Sequence, residues 1–306
     1  MSLLATNNAT STGSTSSLAG IIATKPDLAP SIVFIVAFAL LAPLAAWRLV
    51  STASRSVVLI RPAVFVLIRI GTYIVRAIEA NGNYSTGIIA TELVLLSTGT
   101  ILLAEPLVEL IKRLLETHIP YDGPAVPDRK GRIQRKDEVG LLSRIVKIAL
   151  IAIIAVSIYS STKVGDAFKD PDAAKTVALT RKIAAIILVV VLAIAALGLL
   201  YFHMKHTLPS RALYFLFMIA LLLEVTAAYR LASAAGDAGA RNHIAFWLAS
   251  ALPEWLVTAA FFSTNLNILI PPKPLTAQGP GAYAMTQQAE PHHQGQYPDP
   301  YAQHRV

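Results

Sequence analysis

The side chains in this sequence best placed to do chemistry are ionisable groups set in apolar surroundings: Arg69, Arg76, Glu92, Glu224, Arg230 and Glu254. A charge at the centre of a bilayer costs about 2.5–3.5 kcal/mol on insertion scales, so such a group faces the interior of a helix bundle and finds a partner there. Arg69, Glu224 and Glu254 lie near the middle of the apolar stretches that hold them; Arg76, Glu92 and Arg230 lie in the outer third of theirs. Arg69 and Arg76 are one heptad apart and share a helix face. That face could meet Glu92 and a Glu224/Glu254 pair across the bundle. Ser97-Thr98-Gly99-Thr100 adds a polar patch, and Thr258, Asn265 and Asn267 follow Pro253, whose ring frees a backbone carbonyl one turn earlier. Two chemistries suit this set. The groups could line an outward-open cavity that binds a ligand or relays a proton, or they could be buried ion pairs that fix helix register and nothing more.

The elements that must position these groups are seven apolar stretches, at roughly 30–50, 57–78, 87–110, 141–161, 183–203, 211–232 and 244–270. A hydrocarbon core about 30 Å thick needs about 20 apolar residues of helix, and each stretch is long enough. Composition agrees: 55% of residues are hydrophobic and only 14% charged, where a soluble domain carries about 25% charged residues. The expected fold is all-α, a bundle of seven transmembrane helices over 30–270 between disordered ends, 1–29 and 271–306. The sequence has no cysteine, hence no disulfide, thiolate metal site or cysteine nucleophile. Walker, HExxH and GxSxG motifs are absent, as is a lysine in 244–270 that could hold retinal, so no enzyme activity, cofactor or metal is expected. Glu105-Pro106-Leu107-Val108-Glu109 is not the acid-Arg-Tyr triplet of rhodopsin-like receptors, and the last stretch has no Asn-Pro-x-x-Tyr.

The net charge of +8 reads as topology rather than nucleic-acid binding, because Lys and Arg gather on the cytoplasmic side of a membrane protein. With the N-terminus outside and the C-terminus cytoplasmic, sixteen cations fall inside and nine outside. The sequons at Asn8 and Asn83 then both lie outside. The third loop, about residues 116–140, carries Arg129, Lys130, Arg132, Arg135 and Lys136. It reads as a topology determinant that could also contact anionic headgroups or a cytoplasmic protein. Glu109/Arg113 and Lys112/Glu116 stand four apart, which extends the third helix past the membrane as a charged helix. Arg61, Glu105, Arg144 and Lys147 read as end anchors, and Trp47, Trp247 and Trp255 as interface belt or core. The Pro/Gln/Gly/His-rich tail includes Tyr297-Pro298-Asp299-Pro300-Tyr301, which could serve as a short docking peptide.

The last two stretches carry Tyr229-Arg230, a short loop, Leu252-Pro253-Glu254-Trp255 and Asn267-Ile268-Leu269-Ile270-Pro271-Pro272. This region resembles the fungal RTA-like lipid-translocating exporter family, in which an aromatic-Arg pair closes the sixth helix and a Glu, often Glu-Trp, sits within the seventh. Arg230 and Glu254 match those positions; Ser233 and Phe261 stand where the family commonly has Glu and Asp. The resemblance implies seven helices, a fungal membrane and a link to amphiphiles. The expected function is binding or translocation of a lipid-like amphiphile, with membrane lipids as partners, in the plasma membrane or another secretory-pathway membrane. The alternative is a seven-helix receptor or sensor that signals through the third loop and the tail. Translation with endoplasmic-reticulum membranes should glycosylate Asn8 and Asn83 and leave a C-terminal tag on the cytosolic side. A lumenal tag would invert the topology.

Overall fold

A computed structural model describes residues 23–51, 56–118, 126–127, 133–134, 138–167, 170–206, 208–237 and 242–271. They belong to one unit, Met1–Pro272; a second unit, Lys273–Val306, lies outside the described residues, as do Asn8 and the loop cations Arg129, Lys130, Arg132, Arg135 and Lys136. The described chain is helical apart from a two-residue antiparallel pair, Val126 with Gln134 and Pro127 with Ile133. Seven helices are long and apolar enough to cross a membrane. They are α1 (Leu28–Val50), α2 (Ile60–Ala80), α3 (Thr86–His118), α4 (Glu138–Thr162), α5 (Pro171–Lys205), α6 (Ser210–Ala235) and α7 (His243–Ser263).

Local signals explain where these helices begin and end. The turn Lys25–Asp27 leads into α1, and the Thr24 N–H donates to Asp27 Oδ2 at 2.9 Å. Asp170 caps α5 by accepting from the Asp172 N–H at 3.0 Å, with Pro171 in the first helical position, where its missing N–H costs nothing. Helix α5 therefore starts twelve residues before the apolar stretch at 183. Hydropathy detects the membrane-embedded part of a helix, not its polar first turns. Helix α6 ends at Gly236, φ 86°, where the Gly236 and Asp237 N–H groups close back on Ser233 and Ala232 carbonyls. Helix α7 stops at Ser263 rather than running on to 270: Thr264 is extended and Asn265 caps a new short helix, Leu266–Leu269, by accepting from the Asn267 N–H. Such local side-chain-to-backbone bonds compete with helix continuation. Within α7 a wider π-type turn, Trp247–Ala251, precedes Pro253.

Consecutive helices run in alternate directions, so the bundle has a proximal face, where α1 begins, and a distal face, where α1 ends. The core between them is filled by Phe38, Phe65, Tyr73, Leu107, Leu192, Leu216 and Phe261, all fully buried. Outward faces are apolar too. On α5, Ile183, Ile186, Val190, Ile194 and Leu197 recur at helical spacing and stay exposed, a surface suited to lipid rather than water.

At the distal face α3 does continue past the span, with the Lys112–Glu116 pair at 3.5 Å. Glu109, however, crosses to Lys147 on α4 at 2.5 Å instead of pairing with Arg113, and Arg61 on α2 meets Glu105 on α3 at 2.6 Å. The end anchors thus tie neighbouring helices together. Arg48, near the end of the first apolar stretch, is buried at the end of α1 and donates to the carbonyls of Phe262 and Ser263 at 2.8 and 2.9 Å. Those carbonyls belong to the last turn of α7, which has no intrahelical donors of its own. Hydrogen bonds to a charged group contribute about 1.5–3 kcal/mol. Arg48→Ala should therefore lower the unfolding free energy of the detergent-solubilised protein by about that much, measured by denaturant titration.

Candidate functional site

The buried charges form two layers. The deeper layer centres on Glu254 in the middle of α7, which is 1% exposed. Its Oε1 accepts from Arg69 Nη2 at 2.6 Å, from Thr100 Oγ1 at 2.7 Å and from Arg230 Nη2 at 3.2 Å. One carboxylate oxygen therefore joins α2, α3, α6 and α7. Arg230 also donates to the Leu96 carbonyl on α3 at 2.6 Å. Arg69 is fully buried; its Nε and Nη1 find no hydrogen-bond partner among the described residues, and its guanidinium packs over the Phe65 ring at 5.0 Å.

The Ser97-Thr98-Gly99-Thr100 patch makes this geometry possible. Thr100 supplies a donor to Glu254, and Thr98 returns its hydroxyl to the Val94 carbonyl. Gly99 leaves room for Arg69: a Cβ there would sit 2.7 Å from both Cζ and Nη2 of Arg69 and 3.0 Å from Phe65 Cε2. Thr258 does not join the site; its hydroxyl bonds the Glu254 carbonyl within α7. Asn265 and Asn267 lie at the distal end, beyond α7.

The shallower layer lies toward the proximal face and centres on Arg76. It pairs with Glu92 on α3 at 2.5 Å and with Asp27 at 3.7 Å, and it lies over the Phe246 ring at 4.1 Å. Asp27 also accepts from Trp247 Nε1 at 3.0 Å, and its Oδ2 lies 2.8 Å from His243 Nδ1. Glu79, fully buried, accepts from the Ala23 N–H at 3.4 Å. Asp27, Glu79 and His243 had no place in the sequence reading, because each stands at the margin of an apolar stretch, where an ordinary solvated end is the default. Asn83 is exposed in the connection between α2 and α3, on this same face.

Between the two layers lies a cavity of about 100 Å³. Arg76, Arg181 and Arg230 line it, with the hydroxyls of Ser97, Ser157, Ser250 and Tyr229. Leu93, Leu96, Ile153 and Leu188 give it apolar walls. Every spanning helix except α1 contributes to the lining. Arg181 stands just ahead of the apolar stretch that begins at 183 and belongs to α5. The signal that could have placed it there is Asp170-Pro171, a helix-start pair ahead of the apolar stretch.

Glu224 does not share this site. Among the described residues no hydrogen bond or ion pair reaches it, and its buried Oε2 has no partner. The reason is helix phase. The buried stripe of α6 runs through Leu216, Ile219, Ala220, Leu223 and Ala227. At about 100° per residue, Glu224 falls off the edge of that stripe while Arg230 falls on it. The expected Glu224/Glu254 pair is thus replaced by the Arg69–Glu254–Arg230 triad.

Replacing Gly99 by Ala tests the fit of Arg69. The guanidinium is the mobile end of a long side chain and can move aside, but in moving it gives up its bond to Glu254. Gly99→Ala should destabilise the protein by about 1–3 kcal/mol, less than full removal of Arg69, because the displaced guanidinium stays within the bundle and keeps part of its attraction to Glu254. In an Arg69→Ala background the same change should cost less, since only the Phe65 ring at 3.0 Å then crowds the added Cβ. A double-mutant unfolding cycle measures both. Comparison of the chain with family models, curated proteins and solved structures returns no match.

Proposed function

We propose that this chain is a multi-pass membrane protein that binds or translocates a lipid-like amphiphile through the cavity bounded by α2 to α7. The observation that carries this reading is the combination of a charged, hydroxyl-lined chamber with apolar walls, reaching the depth of a mid-helix carboxylate. At about 100 Å³ the chamber is several-fold smaller than the about 300–1,000 Å³ of pockets that enclose a whole drug-sized ligand. It suits a headgroup whose tail lies among the helices or in the lipid. The RTA-like resemblance rests on Arg230 and Glu254, and the direct contact of these two side chains across α6 and α7 at 3.2 Å favours a shared role for them. With the N-terminus outside, the cavity would lie in the outer half of the membrane, in the plasma membrane or another secretory-pathway membrane.

The charged layers then do more than hold register. A carboxylate bound by two guanidiniums and a hydroxyl can release one donor to an incoming headgroup without becoming an isolated charge. Arg230, 19% exposed where Arg69 is fully buried, is the donor placed to leave.

Vesicles reconstituted with the purified protein and a short-chain fluorescent amphiphile test the proposal. The wild type should bind the probe and accelerate its movement between leaflets. Glu254→Gln should lower activity about tenfold or more and cost less stability than Arg69→Ala, because the amide keeps the shape and one acceptor oxygen for the donors that converge there. Arg69→Ala should damage both, since removing one partner of a buried pair costs about 3–5 kcal/mol. Binding without accelerated movement would favour the sensor reading, and a wild type that neither binds nor moves any amphiphile defeats the proposal.

A further inference from the structure

The cavity contains three guanidiniums and no carboxylate among its lining residues. Two of the three are committed. Arg76 is held by Glu92 and Asp27, and Arg230 by Glu254 and the Leu96 carbonyl. Arg181 is different. It is partly buried a third of the way along α5, and no hydrogen bond or ion pair reaches it among the described residues. The acid whose field it feels, Glu92, is already bonded to Arg76 at 2.5 Å. The hydroxyls around it are likewise uncommitted: those of Ser97, Ser157, Ser250 and Tyr229 make no hydrogen bond to the described residues.

A chamber with uncommitted hydroxyls that can turn as donors, one cation without a bonded partner among the described residues and no carboxylate in its lining is complementary to an oxyanion. A guanidinium binds phosphate or carboxylate through paired N–H donors at about twice the strength of a neutral hydrogen bond. A cationic headgroup would meet three guanidiniums and no acid. A neutral one would shield the partly exposed Arg181 from water without supplying a counter-charge, which costs affinity.

Resting on the amphiphile reading above, we infer that the ligand is a single-chain amphiphile with a phosphate or carboxylate headgroup, and that Arg181, assisted by the cavity hydroxyls, is the residue that selects it. The chamber holds the headgroup, and Leu93, Leu96, Ile153 and Leu188 accept the first part of the chain. Arg76 adds positive potential while held by Glu92 and Asp27, and Arg230 is the second donor, able to turn from Glu254 toward the headgroup.

The test uses the full chain in phosphatidylcholine nanodiscs with probes that share one acyl chain: lysophosphatidic acid, lysophosphatidylcholine and monoacylglycerol. Inorganic phosphate is titrated separately. The acidic probe should bind at least about tenfold more tightly than the other two. Arg181→Gln should remove that preference, weakening the acidic probe at least about tenfold relative to monoacylglycerol, and Arg181→Lys should keep part of it. Arg181 makes no bond to the described residues, so both variants should unfold like the wild type. The comparison of headgroups on the wild type stands without any variant. Equal binding of all three probes, unaffected by Arg181→Gln, would overturn the inference while the amphiphile reading survives. Binding of inorganic phosphate as tight as that of the acidic probe would assign the site to a free oxyanion and overturn the lipid source. If none of the three probes binds, the amphiphile reading fails and the inference fails with it.

Discussion

A charge inside the hydrocarbon region has no water to turn to, and the bundle is organised around that constraint. Glu254 could not stand alone at mid-span in α7; it is stabilised because three donors from three other helices converge on one of its oxygens. Such convergence fixes the rotation of each helix about its axis. A turn of α2 by one residue would carry Arg69 about 100° away and strand both partners. Lipid tails are as apolar as a leucine core, so the hydrophobic effect cannot supply this specificity, and packing with interhelical polar contacts must do so.

The other contacts follow from the same rule. At the distal face Arg48 satisfies the final carbonyls of α7, Glu105 meets Arg61, and Glu109 meets Lys147. At the proximal face Asp27 collects Arg76, Trp247 and His243 and so binds the chain before α1 to the starts and ends of other helices. The aromatic cluster of Phe34, Tyr73, Phe246 and Trp247 packs against this layer, with Arg76 over two of its rings. Charged groups here act as cross-links between helices whose apolar surfaces alone would slide.

The cavity lies between the two layers, where the lining offers Arg181, which no hydrogen bond or ion pair reaches among the described residues, and several uncommitted hydroxyls. Gly99 shows how closely the backbone of α3 must approach for the deep layer to form, and Ser97, two residues earlier, opens toward the cavity instead. A single polar patch on α3 thus serves structure on one side and supplies donors on the other.

Hydropathy alone determined the number of spans and, within a turn or two, most of their limits, because bilayer thickness sets the length of an apolar helix. It also marked Arg69, Arg76, Glu92, Arg230 and Glu254 as buried groups in need of partners, since intramembrane charge is costly wherever it occurs. Which partner each takes was decided by tertiary structure. Sequence depth placed Glu224 and Glu254 together, but depth is one coordinate; the rotation of α6 about its axis is the other, and it turns Glu224 away while bringing Arg230 in. Arg181, Asp27 and Glu79 look like ordinary end charges along the chain, and only the packing of α5, α1 and α2 against their neighbours carries them inside. Gly99 could have been any small residue until the guanidinium of Arg69, thirty positions earlier in the chain, was seen to occupy the space where a Cβ would be.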